Sequence, residues 1–513
     1  MATNSQSVVP LKPEIETVKV ENEQKPNDLE AGDNTIDIKP SPTAEPDPRP
    51  ISEKGATLSS SVINMMNTII GAGVLSIPST ISKAGLLGSF LILAISLYLS
   101  LEGANMLSMA SVYTAADSYG GVGTRLNNRT VGLIGDIAMI VFDFGISIAY
   151  FIILFDQAAD LVVLWGNVSL ETMSTWKPWL SLIIAMLVGF PILCIPSIDA
   201  LRFTSTASVI CICLFVVIST GKGINQLIQG GLSYKWFPDT IPGLVSAISV
   251  FFTSMCCHVN IPKMTSELKF PSSSKFSNKV SKMSRVNTVA FLSCGTIYFV
   301  VGAFGYLAYG DQIAANLLTN FTNDKVGYLN IVKLAYAFVV LFSYPALAFA
   351  ALVTLDKLCF KQPRPAHRRY LEAFFWTLLS AIVAIVFPIL DKVFGVTGSM
   401  CGILLNFAIP AFYFVLIAKI ERAKKASSRG SVFSATKGRY YFAWVLFYIG
   451  VVAAVVFTAI QLKDVISSLS TPATTVAPTA APTMAPSLVP TVAPSIAPSV
   501  AAAVKSVVRA IIH

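Results

Sequence analysis

The sequence predicts an all-α polytopic membrane protein. Of its 513 residues, 54% are hydrophobic and only 13% are charged, whereas soluble domains carry about a quarter charged residues. A disordered chain would need few apolar residues, and a disulfide-rich domain would need far more than eight cysteines. From about residue 57 to 462 the chain is instead a series of apolar runs. Each is close to the roughly 20 residues that cross a bilayer as a helix.

Residues 1–54 precede these runs and differ from them in composition. They contain eleven acidic and six basic residues, many prolines and no aromatic residue. Such a segment cannot bury enough apolar surface to offset the entropy of ordering it. We therefore expect a disordered tail, long enough to dock a cytoplasmic partner.

Residues 55–462 are predicted to form a domain of eleven transmembrane helices. Twenty-one Lys and Arg residues fall in the loops on one side of these helices and six in the loops on the other. Because positively charged loops stay in the cytoplasm, the N-terminus is predicted to be cytoplasmic. The net charge of +9 thus reflects orientation, and no basic cluster interleaved with aromatic residues supports a nucleic-acid partner. The predicted helix centres lie near residues 69, 98, 148, 187, 212, 253, 297, 342, 379, 405 and 451.

The predicted outer side carries two glycosylation sequons and a tail of unusual amino-acid composition. Asn167 and Asn320 begin sequons in predicted outer loops, which makes them glycosylation candidates, although three-residue motifs also occur by chance. Residues 463–513 are rich in Thr, Ser, Pro and Ala, as in an O-glycosylated stalk or an extended tail. The cysteines lie within helices or near their cytoplasmic ends, so we assign them a packing role.

The first helix is predicted to be interrupted at Gly71-Ala72-Gly73. If the chain unwinds there, Asn67, Thr68 and freed carbonyl groups can coordinate a cation, and the amides that begin the outer half can face a carboxylate. The alternative is close helix packing through small residues.

The sixth helix offers a second interruption. Its polar cluster, which includes Cys256 and His258, follows Phe252 and precedes Pro262, which removes one helix hydrogen bond. Interruptions five helices apart indicate an inverted repeat of five plus five helices. His258 is either a hydrogen-bonded structural residue or a proton carrier.

The third and eighth helices carry the remaining polar candidates. Asp143 lies eleven residues past Gly132, or roughly 16 Å into the membrane by helical rise. A carboxylate at that depth is a functional candidate, although a protonated Asp in a structural network is the alternative. Ser147 lies on the same helical stripe. In the eighth helix, Ser343 precedes a proline and can offer an oxygen to sodium or bond a helix carbonyl.

Five segments in order resemble the signatures of the amino acid/auxin permease family. The resemblance covers about residues 55–462 and is strongest to the sodium-coupled neutral amino acid transporter branch and related vacuolar transporters. The segments are Asn67–Gly73, Cys257–Lys269, Phe304–Gly310, Ser343–Pro345, and Thr397–Ser399 with Pro410.

This resemblance implies a LeuT-type fold, with a five-plus-five inverted repeat and one extra helix, and secondary transport of amino acids. Asn67 and Ser343 match positions that bind sodium in coupled members, where the second is usually Thr. Two departures matter. Surface members typically have an outer disulfide, which this chain lacks, and the family's Cys-His-Pro-Glu is replaced by Cys257-His258-Val259-Asn260. Asp143 is a candidate to supply the lost carboxylate.

We therefore predict an amino acid transporter that works by alternating access, with sodium or protons as coupling ion and no other cofactor. The substrate carboxylate is placed against Gly71, Ala72 and Gly73. The protein is expected to be a monomer in a vacuolar, lysosomal-type or plasma membrane. A membrane amino acid sensor that signals through residues 1–54 is the alternative. An intramembrane enzyme lacks support, since there is no metal spacing or paired catalytic aspartate. The residues assigned to substrate binding are Thr68, Gly71, Ala72, Gly73, Ser147, Phe252, Cys256 and His258, and those assigned to ion coupling are Asn67, Asp143 and Ser343.

Overall fold

The computed structural model describes residues 55–166, 168–195, 202–270, 275–323, 327–360, 362, 364–427 and 435–470. In these parts of the chain the secondary structure is helical, and the only strand-like contact is a single bridge between Ala56 and Leu268. Residues 1–54, and residues 471–513 of the tail predicted at 463–513, lie outside the described residues.

Seventeen α-helices occur in the described segments. In chain order they are Leu58–Ile70 (α1), Gly73–Ala84 (α2), Leu86–Thr114 (α3), Tyr119–Arg125 (α4), Arg129–Gly166 (α5), Leu170–Ile184 (α6), Phe190–Leu193 (α7), Arg202–Gln229 (α8), Ile241–Ser254 (α9), Ile261–Glu267 (α10), Phe276–Tyr309 (α11), Leu317–Asn323 (α12), Gly327–Cys359 (α13), Ala366–Val386 (α14), Leu390–Thr397 (α15), Ile409–Ala426 (α16) and Lys437–Ser470 (α17). The last helix extends past residue 462, where the transporter domain was predicted to end.

Within the described residues, ten helical stretches are long and apolar enough to cross a membrane. They are α3, α5, α6 with α7, α8, α9 with α10, α11, α13, α14, α15 with α16, and α17. The pair α1 and α2 is bent by 53° and makes an eleventh span if it is counted as one. The chain is therefore an all-helical, multi-pass membrane protein, and each predicted helix centre falls in or at the bend of one of these stretches.

Three spans form the centre of the bundle. The most apolar windows of α9–α10, α15–α16 and α5 are 83%, 78% and 72% buried, against 22% for α17. Helices that are apolar on all sides and covered by protein belong to the interior of a bundle. Residues on α5 and near the break between α9 and α10 are thus shielded from lipid.

The span formed by α15 and α16 is irregular at its middle, where two π-helical segments, Gly398–Gly402 and Leu404–Ala408, join the two helices. Asn406 in the second segment donates from its side-chain amide to the carbonyls of Phe252 and Gly402, at 2.9 and 2.7 Å. π-Bulges often occur at functional sites. Here the bulge is bonded directly to the last turn of α9.

Candidate functional site at the two helix breaks

The first break lies between α1 and α2. The helix α1 ends at Ile70, Gly71 follows, and Ala72 caps α2, which begins at Gly73. The first amides of α2 have no acceptor within their own helix, so this end favours an anion such as a carboxylate. The carbonyl of Gly71 accepts a hydrogen bond from the Tyr336 hydroxyl of α13. The predicted unwinding at this position is present.

The second break lies between α9 and α10, and it faces the first. α9 ends at Ser254, and a 3₁₀ turn at His258–Asn260 leads into α10. A Cβ on Gly73 would lie 2.6 Å from the Ser254 hydroxyl oxygen, so only glycine permits this approach of the two broken helices. The hydroxyl of Ser254 is buried and has no hydrogen-bond partner among the described residues. It therefore lies beside the first amides of α2 and is free to bind a ligand.

Tyrosine hydroxyls fill much of the space around the first break. The Tyr298 hydroxyl of α11 donates toward the carbonyls of Ile69 and Ser254, at 2.6 and 2.9 Å. The Tyr150 hydroxyl of α5 lies 2.9 Å from where a Cβ of Gly71 would be. The side chain of Ser343 on α13 is a neighbour of the Tyr150 hydroxyl. The ion candidate Ser343 is thereby connected to the break at Gly71.

Asp143 of α5 is fully buried, and neither carboxyl oxygen has a hydrogen-bond partner in the described part of the chain. The titratable groups within electrostatic range of it are Tyr150 on its own helix, Cys256 at the second break and Cys401 in the π-helical segment. Thiol groups are poor ligands for a hard cation such as sodium, which prefers oxygen. An ionised carboxylate in such surroundings costs several kcal/mol.

One face of α1 leads to the break. Ser60, Asn64, Asn67 and Thr68 follow helical spacing along this face, and each is exposed or half-buried. The Thr68 hydroxyl bonds the carbonyl of Asn64 at 2.9 Å, whereas the side-chain oxygen of Asn67 is buried without a partner in the described residues. Polar side chains are costly against lipid, so this face lines a water-accessible route.

The opposite side of the break is closed. Ten of the twelve residues of α2 are buried, against five of the thirteen in α1. In its last turn, Lys83 forms an ion pair with Asp391 at the start of α15. Of the two half-helices, α2 is therefore the one more fully enclosed by protein.

Two residues assigned to substrate binding are engaged elsewhere. Ser147 donates to the carbonyl of Asp143 and accepts from the indole nitrogen of Trp376 on α14, at 2.8 and 3.1 Å. His258 is fully buried, with Nε2 2.9 Å from the carbonyl of Ser100 on α3. This contact is the one expected of a structural histidine. Phe252 and Cys256 are buried at the second break, where the ring of Phe252 packs against Phe407.

The sequon at Asn320 lies in a packed segment. Asn320 is only 6% exposed, its oxygen accepts from the amide of Ala314 at 2.8 Å, and its nitrogen donates to the carbonyl of Gln312 at 3.2 Å. A glycan on that nitrogen would displace α12, so the packing disfavours glycosylation there. Asn167, the other sequon residue, lies outside the described residues.

The sequence analysis did not assign Tyr298, Tyr336, Tyr150 or Ser254 to the site. A usable signal exists for the three tyrosines. A tyrosine buried in a membrane helix needs a hydrogen-bond partner for its hydroxyl, and a broken helix is a place where carbonyl groups lack one. Which tyrosine hydroxyl bonds which freed carbonyl group can be assigned only when the packing of the helices is known.

Comparison with known proteins gives a consistent result. Residues 54–463 match the family described as transmembrane amino acid transporter protein. The chain is 26% identical to amino acid transporter AVT6B of Arabidopsis thaliana over 70% of its own length and 82% of that protein's. It is 28% identical to vacuolar amino acid transporter 5 of Schizosaccharomyces pombe (strain 972 / ATCC 24843), over 56% of its own length and 66% of the other. Sodium-coupled neutral amino acid transporter 7 of Danio rerio is 23% identical over 74% of this chain and 82% of that protein.

Proposed function

The chain belongs to the transmembrane amino acid transporter family, and from this we propose that it is a secondary active transporter of amino acids. It moves its substrate by alternating access, coupled to the downhill movement of sodium or protons. The family is one of transporters and not of enzymes.

The observation that carries this proposal is the unequal burial of the two half-helices at the first break. The polar face of α1 reaches the break from one side, whereas α2 is almost entirely buried on the other. A transporter needs a central site that opens to one side at a time, and broken helices at the site supply unpaired backbone groups for the ligand. Since the bend lies between α1 and α2, reorientation of α1 against α2 would exchange the open side.

The substrate carboxylate binds at the first amides of α2, from Gly73 onward, with the Ser254 hydroxyl beside it. This end of α2 carries the positive pole of the helix dipole. The substrate side chain extends toward the second break, near Phe252 and Cys256, both of which are buried there. Phe252 is apolar and a buried cysteine behaves as a small apolar residue, which suits a neutral side chain.

Two loci are available for the coupling ion. Asn67 offers an unpaired buried oxygen, and Ser343 offers a hydroxyl linked through Tyr150 to the break; oxygen ligands of this kind suit sodium. Asp143 offers a carboxyl group without a partner among the described residues. Because its titratable neighbours are two thiols and a tyrosine, a proton suits it better than a metal ion.

The protein is placed in an internal membrane of the vacuolar type, with its N-terminus in the cytoplasm. The similarity to a protein named as a vacuolar transporter supports this choice of membrane. The predicted outer loops contain no cysteine, which supports an internal membrane. The excess of Lys and Arg in alternate loops supports the orientation. No observation among the described residues favours the sensor alternative.

The test is flux through the purified full-length protein in liposomes. Labelled amino acids are supplied one at a time under imposed sodium and proton gradients, and ion-dependent uptake of at least one is expected. If sodium is the coupling ion, Asn67→Ala and Ser343→Ala should raise the sodium concentration needed for half-maximal uptake, because each removes an oxygen atom proposed to bind sodium. Asn64→Ala, on the same face of α1, is the matched control. Absence of flux with every amino acid refutes the proposal.

A further inference from the structure

Two half-helices end with their carbonyl groups directed at a single side chain. α1 ends at Ile70 and α9 at Ser254. The carbonyl oxygens of Ile69 and Ser254 lie 2.6 and 2.9 Å from the hydroxyl oxygen of Tyr298. Tyr298 is fully buried on the continuous helix α11. One hydroxyl therefore joins both breaks to a helix that is not broken.

This junction needs a positive group. The C-terminal end of a helix carries about half a negative charge, and two such ends that converge in a buried site repel each other. Carbonyls freed by unwound helices commonly coordinate a cation, which removes that repulsion. Here the positive end of the Tyr298 O–H bond lies between them. The carbonyl of Gly71 is satisfied in the same way by the Tyr336 hydroxyl.

We propose that the Tyr298 hydroxyl takes the place of a cation at this junction, so that the junction itself binds no sodium. The freed carbonyls of Ile69 and Ser254 are occupied by a group of the protein. The consequence for coupling rests on the proposed function: a coupling ion binds elsewhere, at Asn67 and Ser343 or as a proton on Asp143. Transport then needs no more than one sodium ion per cycle.

The arrangement also predicts what happens when the hydroxyl is removed. Tyr298→Ala leaves the two carbonyl oxygens and opens a space the size of the phenol ring. The unpaired hydroxyl of Ser254 adjoins that space and provides a third oxygen. Two carbonyls, a hydroxyl and water form an oxygen set that sodium accepts. The variant should therefore acquire a sodium site that the native junction lacks.

The experiment measures thermal unfolding of the purified full-length protein in sodium chloride and in choline chloride at equal ionic strength. All variants carry Asn67→Ala and Ser343→Ala, which remove the other candidate sodium ligands. Adding Tyr298→Ala should make sodium raise the unfolding midpoint by about 2 °C over choline. The control is Tyr119→Ala, which removes a buried tyrosine whose hydroxyl donates to the carbonyl of Leu405 at 2.9 Å and not to Ile69 or Ser254. It should show no sodium-dependent shift.

Two results overturn the proposal: a sodium-dependent shift while Tyr298 is intact in this background, or no shift in the Tyr298→Ala protein. A purely structural role for Tyr298 would lower the midpoint equally in both salts. If Tyr298→Ala does not fold, equilibrium binding of radioactive sodium to the Asn67→Ala, Ser343→Ala protein decides, since one bound ion per chain contradicts the proposal and none supports it. These measurements require no flux, so they distinguish this inference from the proposed transport function.

Discussion

Replacement of Asp143 by Asn tests the assignment of the proton site. Asn has nearly the same shape as a neutral Asp, and neither Asp143 oxygen has a hydrogen-bond partner in the described structure. The substitution therefore removes no described contact, and the free energy of unfolding should change by less than about 1 kcal/mol. Loss of a buried ion pair would instead cost about 3–5 kcal/mol.

The effect on transport should be larger than the effect on stability. If each substrate moves with one proton on Asp143, a pH difference of one unit supplies about 1.4 kcal/mol, which is a tenfold accumulation. Asp143→Asn carries no titratable proton, so it should lose that tenfold accumulation. It should retain counterflow, the exchange of labelled for unlabelled substrate, which needs no net proton movement. Both quantities are measured in proteoliposomes, and stability is measured by thermal unfolding.

Asp136→Asn is the matched control for Asp143→Asn. Asp136 lies two turns earlier on α5, is half-buried and accepts from the amide of Gly120 at 3.0 Å. Its replacement should cost about 1 kcal/mol of stability and leave the response to pH intact. The reasoning is refuted if Asp143→Asn still accumulates substrate tenfold under the same pH difference. A loss of 3–5 kcal/mol would show that Asp143 is paired after all.

Three further substitutions test the packing. Gly145→Ala would place a Cβ 2.2 Å from the Thr397 hydroxyl oxygen, so it should cost about 1–3 kcal/mol in thermal unfolding, largely restored by Thr397→Ala. A Cβ at Gly55 would lie 2.9 Å from the Glu267 carbonyl oxygen and from backbone atoms of Lys269. Gly55→Val should therefore speed amide hydrogen exchange at the bridge between Ala56 and Leu268. Lys333→Met should lower the free energy of unfolding in denaturant by about 2–3 kcal/mol, because this lysine is only 3% exposed and forms an ion pair with Asp160 of α5. An unchanged unfolding midpoint would contradict this pairing.

The sequence was sufficient to predict the positions of both breaks, because their causes are local. Gly71 and Gly73 allow the chain to leave the helix, and Pro262 removes a hydrogen bond in the next broken helix. The burial of Asp143 was equally predictable, since its depth follows from helical rise within an apolar run. These features depend on residue type and spacing, so they can be predicted without knowledge of the packing.

The partners of the polar groups could not be predicted, because they come from distant parts of the chain. Tyr298 is 229 residues from Ile69, and His258 is 158 residues from the Ser100 carbonyl that it contacts. The rotation of each helix about its axis decides such pairs, and one sequence does not determine it. Asn320 shows the same limit, since its sequon is local but its burial arises from the packing of α12.

The contacts at the first break divide α1 and α2 into a part that is held and a part that can move. Tyr336 holds the carbonyl of Gly71, and Tyr298 holds that of Ile69, so the end of α1 is fixed to α11 and α13. The half-helix α2 is held mainly by burial and by the ion pair of Lys83 with Asp391. Lys83 is partly exposed, whereas the carboxylate of Asp391 is buried. Separation of the pair would leave a buried carboxylate without a partner, at a cost of about 3–5 kcal/mol. In the proposed alternating access, α2 can therefore move away from α15 only if water or another positive group reaches Asp391, while Tyr298 and Tyr336 hold the end of α1.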